Sequence, residues 1–228
     1  MDLREIDKKN QFRHPWEIIR SEFILNEIKK SKINRVIDIG SGDGYIGKKI
    51  QQDLKLPVLY VDNSFSEKML EEQNHFSSID EISFVPGDLI LLADVLEHIE
   101  FPDQFLQELK SKLVKGTIVV ITVPTFQFLF SEHDKFLGHF RRYSKEQLLQ
   151  LTEKNLKLNS CHYFFFLPLI VRWIQVFFGF SLKTTSVSSW RFPQSHFLTR
   201  FILFIFRLDL YLFKPLPGLS LYFKGTIQ

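Results

Sequence analysis

The stretch Asp38-Ile39-Gly40-Ser41-Gly42-Asp43-Gly44 decides the fold of this 228-residue chain. It follows directly on a β-branched run at 34–39 and precedes a segment, 44–54, that can form a helix. Its three alternating glycines permit positive φ and let a ligand approach the backbone closely. Asp62 ends the next apolar run, 57–61, where a carboxylate suits hydrogen bonds to both hydroxyls of a ribose. A plain tight turn would not explain these features together, so the pattern predicts a nucleotide-type ligand site.

Strand and helix patterns alternate outward from this stretch. The predicted strands are continuous apolar runs, which is typical of a parallel sheet covered on both faces. They lie at 34–39, 57–61, 75–79, 88–93 and 117–123, with two later candidates at 158–166 and 219–224. Helical patterns lie at 15–30, 44–54, 64–73, 101–113 and 144–153, the last with Ser144 as its N-cap and Gln147 at the capping-box position. The sequence therefore predicts a doubly wound, mostly parallel seven-stranded α/β domain.

The glycine loop is compatible with two kinds of nucleotide. The run from Gly42 to Gly47 fits the dinucleotide fingerprint G-x-G-x-x-G, which places a pyrophosphate on the loop. However, Asp38 and Asp43 put carboxylates beside the loop, and these would repel a pyrophosphate. They favour a ligand with a cationic end and no phosphate, such as S-adenosylmethionine.

Three stretches together carry a family resemblance. They are DIGSGDG with Asp62, DVLEHI at 94–99, and EHDKFLGHFRRYS at 132–144. The first two resemble the class I S-adenosylmethionine-dependent methyltransferases, whose Rossmann-like fold carries a helical insertion before the last strand. The third is similar to a bacterial subgroup often found with cell-envelope polysaccharide or lipid genes. The resemblance spans about residues 34–150, with a fainter match at 218–225.

The resemblance implies a set of cofactor-binding residues. The first-motif loop would contact the methionine part, Asp62 would hold the ribose, Asn63 would lie along the adenine, and an acid after the third strand would reach the adenine amino group. The implied residues are Asp38, Gly40, Ser41, Gly42, Gly44, Asp62, Asn63, Asp80, Asp94 and Val95. The segment before the first predicted helix, around Arg13, often folds over the cofactor in relatives.

Methyl transfer needs alignment more than covalent help, because it is an in-line displacement at an activated sulfonium. A general base is needed only for a hydroxyl or protonated amine acceptor, and His98 and His133 are the candidates. Some relatives with E-x-x-E-H at positions 94–98 bind a divalent metal. Oxygen ligands there would suit Mg²⁺, but the favoured alternative is that Glu97 and His98 contact the cofactor and acceptor without metal.

The segment between the fifth strand and the following helix lies on the acceptor side of such folds. Adjacent arginines can bind phosphate or carboxylate in a bidentate way, so we expect an anionic acceptor. The alternative is that Arg142 pairs with Asp134 as structural support. The candidate acceptor-binding residues are Glu97, His139, Arg141, Arg142 and Tyr143.

Charge and aromatic residues divide the chain near residue 160. Residues 161–228 carry seven basic residues and one acid, a charge of +6, whereas 1–160 carry 22 basic and 25 acidic residues, a charge of −3. The same last part holds 13 of the 25 phenylalanines. We therefore expect a cofactor-binding core over 1–160 and, over 161–228, an apolar, basic helical part that completes the sheet in the same domain.

Two apolar stretches in this last part, 163–182 and 197–213, allow three arrangements. They can cover the acceptor site by packing, lie in an anionic lipid interface, or span a bilayer. Pro168, Arg172, Gln175 and Gly179 make the first stretch a poor bilayer span. The sequence predicts packing or peripheral membrane contact within 163–213.

The sequence thus predicts transfer of a methyl group from S-adenosylmethionine to a small-molecule, sugar or lipid-linked acceptor. Two alternatives are a non-catalytic protein that binds the cofactor at a membrane surface and, less favoured, a nicotinamide-dependent oxidoreductase. A nucleic-acid partner is not expected, because the basic residues are mixed with phenylalanine and no RNA-binding module is readable. One cysteine and no visible signal peptide predict a cytoplasmic protein that can associate with the inner face of the cytoplasmic membrane.

Overall fold

The computed structural model describes residues 13–177 and 196–228. Seven strands lie at β1 Arg35–Ile39, β2 Val58–Val61, β3 His75–Phe76, β4 Asp88–Ala93, β5 Ile118–Pro124, β6 Leu156–Phe164 and β7 Ser220–Ile227. Eight helices lie at α1 Pro15–Ile28, α2 Tyr45–Leu54, α3 Glu67–Leu70, α4 Pro102–Lys112, α5 Glu132–Leu137, α6 Lys145–Glu153, α7 Phe166–Phe177 and α8 His196–Leu212. Three short 3-10 turns also lie at Ile79–Glu81, Leu96–His98 and Gln127–Leu129.

All seven strands form one sheet in the order β3-β2-β1-β4-β5-β7-β6. Pairing is parallel from β3 to β5, and β7 runs antiparallel between β5 and β6. The predicted doubly wound, mostly parallel seven-stranded fold is therefore confirmed, and helices α7 and α8 precede the last strand as expected. The direction of β7 lets the chain return to the sheet after these helices.

The sheet has a hydrophobic core on each face, as its continuous apolar strands require. Helices α1 and α2 cover one face, where Ile19, Ile24 and Ile50 are fully buried. Helices α4 and α6 cover the other, with Leu106, Leu109 and Leu148 in the core. The predicted N-cap of α6 is confirmed, because Ser144 and Gln147 form a reciprocal capping box.

The segment between β2 and β4 differs most from the structure that its sequence predicts. The predicted helix at 64–73 is a single turn at α3, and β3 is two residues long rather than five. Side chains from Ser66 to Asn74 are mostly exposed, so no buried face extends either element. Strand β7 is longer than the predicted 219–224 because it pairs with β5 and β6 along nearly its whole length. Strand β6 has the predicted length but begins two residues earlier, at Leu156.

Helix α8 joins the fold through both apolar and polar contacts. Leu203 and Phe206 pack on the core beneath α1, and Arg207 forms a bidentate ion pair with Glu22 of α1 at 2.7 and 2.9 Å. Asp209 is buried and accepts the Leu167 backbone N–H at 2.8 Å, which satisfies a donor in the first turn of α7. Among the described residues, no helix has the length and apolar character to cross a membrane.

Candidate functional site

The site lies at the edge of the sheet where the parallel strands end. Strand β1 pairs with β2 and β4 so that Ile39 lies opposite both Val61 and Leu92. The residues that follow each strand therefore emerge side by side: the glycine loop, Asp62 and the segment from Asp94. This edge is also where strand order reverses, between β1 and β4, which is the usual position of ligand crevices in doubly wound folds.

The glycine loop needs its glycines for conformation and for space. Gly40, Gly42 and Gly44 have φ of 69°, 56° and 70°, the left-handed region that glycine enters without steric cost. A Cβ on Gly40 would lie 2.7 Å from Val95 Cγ2. Gly40 and Val95, both predicted to bind the cofactor, therefore lie close together. Gly40 is exposed, whereas Gly42 and Gly44 are buried.

Asp62 ties the glycine loop to the end of β2. Its Oδ2 accepts the Gly42 N–H at 2.8 Å, and its Oδ1 accepts the Ser64 N–H at 2.9 Å. The neighbouring Asn63 is exposed, whereas Ser41 is buried against the loop. The carboxylate is only half-buried, so it is accessible from solvent. Its binding of a ribose stays a prediction.

Asp38 supplies a buried carboxyl group beneath the loop. It is 2% exposed, and this burial raises the pKa of Asp38 to about 7. The Asp62 carboxylate pushes the pKa in the same direction, while Arg20 opposes it. Because removal from water disfavours the charged form, the ionised carboxylate is stabilised by a cation that enters the crevice.

Asp94 is the most constrained residue of the site. It has φ of 57°, a left-handed conformation that costs a non-glycine residue on the order of 1–3 kcal/mol. Its carboxylate accepts a hydrogen bond from Thr122 Oγ1 at 2.8 Å and forms an ion pair with Arg20. Both partners were missed by sequence reasoning, because Arg20 lies 74 residues away on α1 and shows no motif.

Helix α1 lies against the site at a second point. Arg13, which precedes the helix, forms an ion pair with Asp43 of the glycine loop and stacks over the Tyr45 ring at 4.1 Å. These contacts place Arg13 beside the glycine loop. That the segment around Arg13 folds over the cofactor, rather than only starting a surface helix, stays a prediction, and residues 1–12 lie outside the described part of the chain.

A cluster of one acid and two histidines lies beyond Asp94. Ligand atoms of Glu97, His98 and His139 lie within 4.8 Å of one another. Burial raises the pKa of Glu97 to about 8. The pattern at 94–98 also offers Asp94 as a metal ligand. Asp94 does not belong to this cluster, and its carboxylate binds Arg20 and Thr122.

The two adjacent arginines have different partners. Arg142 Nε binds Asp134 at 2.8 Å, which is the structural pairing that the sequence left open, while Arg141 reaches the Glu100 carbonyl at 2.8 Å. Burial alone would raise the pKa of Asp134, yet the hydrogen bonds from His139 and Arg142 hold it below its usual range. Arg141 is therefore the better placed of the pair to meet an anion.

The other predicted site residues, Tyr143, His133 and Asp80, differ in burial and in their contacts. Tyr143 is buried and donates its hydroxyl to the Leu96 carbonyl at 3.0 Å, so it supports the turn that carries Glu97 and His98. His133 is exposed on α5. Asp80 is exposed in a 3-10 turn, where its carboxylate pairs with Lys112 at the end of α4 rather than with the glycine loop.

Comparison with known proteins agrees with this geometry. A family model described as a methyltransferase domain matches residues 12–164, about two thirds of the chain. The chain belongs to this family, in which S-adenosylmethionine is the methyl donor, so a methyltransferase activity replaces the alternative of a nicotinamide-dependent oxidoreductase. A search of curated proteins finds no significant match.

Solved structures show the same fold at low sequence identity. A S-adenosylmethionine-dependent methyltransferase from Archaeoglobus fulgidus is 16% identical, with 92% of this chain and 96% of that chain covered and a TM-score of 0.52. The N-methyltransferase NodS from Bradyrhizobium japonicum is 12% identical, with coverage of 99% and 94% and a TM-score of 0.53. The phosphoethanolamine N-methyltransferase 2 of Haemonchus contortus is 16% identical; all of this chain matches 60% of that chain, with a TM-score of 0.55.

The substitution Gly40→Ala should weaken cofactor binding. Its Cβ would collide with Val95 and strain a left-handed backbone, so we expect at least a tenfold weaker Kd for S-adenosylmethionine by isothermal titration. Gly116→Ala is the matched control, since Gly116 has φ of 90° but open space around it. The control should lose about 1 kcal/mol of stability and keep its cofactor affinity; equal losses in both variants would contradict the prediction.

Cofactor binding should depend on the ionisation of Asp38. The ammonium and sulfonium of the cofactor favour the ionised form of Asp38, so binding releases a proton from this residue. Affinity for the cofactor should therefore rise from pH 5.5 to about 7, by up to about tenfold per pH unit, and then level off. Asp38→Asn should flatten this profile in titrations at several pH values, whereas Asp43→Asn should keep it. A flat wild-type profile, or a slope that survives in Asp38→Asn, would count against this role.

Proposed function

We propose that this chain methylates an anionic small-molecule, sugar or lipid-linked acceptor of the cell envelope, with S-adenosylmethionine as donor. The observation that carries the proposal is the pair of carboxyl groups of buried Asp38 and half-buried Asp62 beside the glycine loop, next to a loop region with arginines and exposed phenylalanines. The carboxylates fit a cationic, phosphate-free cofactor, and the arginines fit an anionic acceptor.

The cofactor supplies an activated methyl group, and the residues of this chain would hold it by charge and shape. The Asp38 carboxylate would face the ammonium, and Asp62 would exchange part of its loop bonding for the two ribose hydroxyls. Val95 and Gly40 would limit the crevice beside the reacting end. Alignment of donor and acceptor in such a crevice can supply about 7–11 kcal/mol of the barrier reduction.

The acceptor would meet Arg141 and Arg172 rather than two adjacent arginines. Arg142 is held by buried Asp134, so it supports the loop. Arg172 projects from α7 to the Ser131 hydroxyl at 2.7 Å, which brings α7 to the start of α5. Burial lowers the pKa of Arg172, and the nearby Arg142 adds to this effect, as expected for cations gathered where an anion binds. His98 and His133 remain the candidates for a base if the acceptor carries a hydroxyl or ammonium; His98 can serve only while it holds no metal ion.

An apolar surface surrounds this region and favours an acceptor with a lipid part. Helix α8 exposes one continuous stripe with helical spacing, and α7 exposes apolar side chains on most of its surface. The exposed residues are Ile170, Val171, Trp173, Ile174, Val176, Phe177, Phe197, Phe201, Phe204, Leu208, Tyr211 and Leu212. Arg200 lies on the same stripe of α8, whereas the neighbouring Arg207 is paired with Glu22. Apolar faces with cations at their side suit the interface of an anionic membrane.

Transfer to an envelope acceptor can be tested with methyl-labelled cofactor and bacterial envelope extracts. Wild type should label a product in the anionic fraction, and Arg141→Ala should raise the KM for the acceptor about tenfold with cofactor Kd unchanged. Arg142→Ala should instead lower thermal stability, because it leaves buried Asp134 short of a partner. Cofactor binding without any labelled product would favour the non-catalytic alternative, and a label confined to uncharged products would contradict an anionic acceptor.

Membrane contact can be tested by a matched pair of charge insertions. Val171 on α7 and Val85, at the opposite edge of the sheet before β4, are both 45% exposed. Val171→Asp should reduce sedimentation with anionic vesicles at low salt about tenfold, since it places an acid on the apolar face. Val85→Asp should not. If wild type fails to bind these vesicles at low salt, or both variants bind alike, the membrane role is wrong.

A further inference from the structure

The structure assigns a transition-metal site to Glu97, His98 and His139. One ligand atom from each residue lies within 4.8 Å of the other two. Glu97 and His98 belong to the turn after β4, and His139 follows α5, so the site forms only when these two loops meet. The Phe140 N–H donates to the Glu97 carbonyl at 2.8 Å and fixes the two loops together.

The burial of Glu97 without a hydrogen-bond partner is the observation that points to a ligand. The residue is 1% exposed, and neither carboxylate oxygen has a hydrogen-bond partner among the residues that the structure describes. A buried polar group without a partner is costly, by about 1–3 kcal/mol and more when it is charged. A bound cation satisfies both oxygens at once, and the two histidines lie where they complete its coordination.

The surroundings of His139 orient the ring for metal binding. Nδ1 of His139 lies 3.0 Å from Asp134 Oδ1, so with Nδ1 protonated the Nε2 lone pair is left for a ligand. Asp134 is fully buried and is itself fixed by the Ser131 N–H at 2.9 Å and by Arg142. A carboxylate that holds a metal-binding histidine in this way is the usual outer partner of such sites.

The donor set selects the type of ion. Two imidazole nitrogens and one carboxylate suit Zn²⁺, Co²⁺, Fe²⁺ or Mn²⁺, whereas Mg²⁺ prefers oxygen ligands only. This differs from the magnesium site considered from the sequence, which relied on Asp94. Three protein ligands leave coordination positions for water or for an oxygen of the acceptor. Metal binding itself does not depend on which acceptor is methylated.

The test is a metal titration of the full chain after removal of metal by a chelator, without cofactor. Co²⁺ should bind one per chain, with visible absorption bands typical of nitrogen and oxygen ligands, and Zn²⁺ should displace it. Glu97→Gln and His139→Gln should each weaken Co²⁺ binding at least about tenfold. His133→Gln, a change in an exposed histidine of the neighbouring helix, should keep the wild-type affinity.

A second measurement separates metal binding from folding. Zn²⁺ should raise the Tm of the wild type and of His133→Gln but not that of Glu97→Gln, His98→Gln or His139→Gln. Circular dichroism identifies any variant that fails to fold, and the remaining ligand variants then carry the test. The inference is overturned if the wild type binds no Co²⁺ or Zn²⁺ stoichiometrically, if the ligand variants bind as well as the wild type, or if Mg²⁺ binds as tightly as Zn²⁺.

Discussion

The parallel pairing of β1 with both β2 and β4 is the constraint on which the site depends. Because the three strands run in the same direction and in register, their carboxyl ends reach one edge of the sheet together. Residues separated by more than 50 positions, from Asp38 to Asp94, are thereby placed beside one crevice. The bidentate ion pair of Arg35 with buried Asp88, at 2.7 and 2.9 Å, joins the first residues of β1 and β4, at the sheet edge away from the site. The hydrophobic cores on both faces fix this arrangement, and the loops at the edge are free to carry function.

Three buried acids at this edge differ in how their charge is satisfied. Asp134 is balanced by Arg142, His139 and the Ser131 backbone, and its ionised form is favoured. The Gly47 backbone N–H and Arg20 favour the charged form of Asp38, and Arg20 and Arg142 favour that of Glu97, but burial outweighs them and raises the pKa of each carboxyl group. Buried carboxyl groups whose charge is only partly balanced cost stability and persist where a ligand supplies the missing charge. The cationic cofactor and a divalent ion are the two ligands inferred for these positions.

The C-terminal helices combine attachment and exposure. The inner side of α8 contributes Leu203, Phe206 and Asp209 to the fold, and its outer side presents phenylalanines to solvent. Arg172 connects α7 to Ser131 at the start of α5, and Asp209 of α8 connects to α7 through the Leu167 N–H, so the apolar surface is held beside the loop that carries Arg141 and Arg142. Phe177, Phe197, Phe201 and Phe204 of this surface account for part of the phenylalanine excess in the second part of the sequence, while Phe164, Phe165 and Phe223 are buried in the core.

The positions of most strands and of the glycine loop can be predicted from the sequence alone, because continuous apolar runs and the spacing of glycines and acids are local signals. The sequence also determined the capping of α6 and the apolar character of α7 and α8. It did not determine the length of β3 and α3, where exposed residues carry no buried pattern. The contacts of Asp94 with Arg20 and Thr122 are visible only in the tertiary structure. So are the pairing of Arg142, and not Arg141, with Asp134 and the approach of His139 to Glu97 and His98. These partners lie up to 74 residues apart, and their meeting follows from strand order and loop packing rather than from any local pattern.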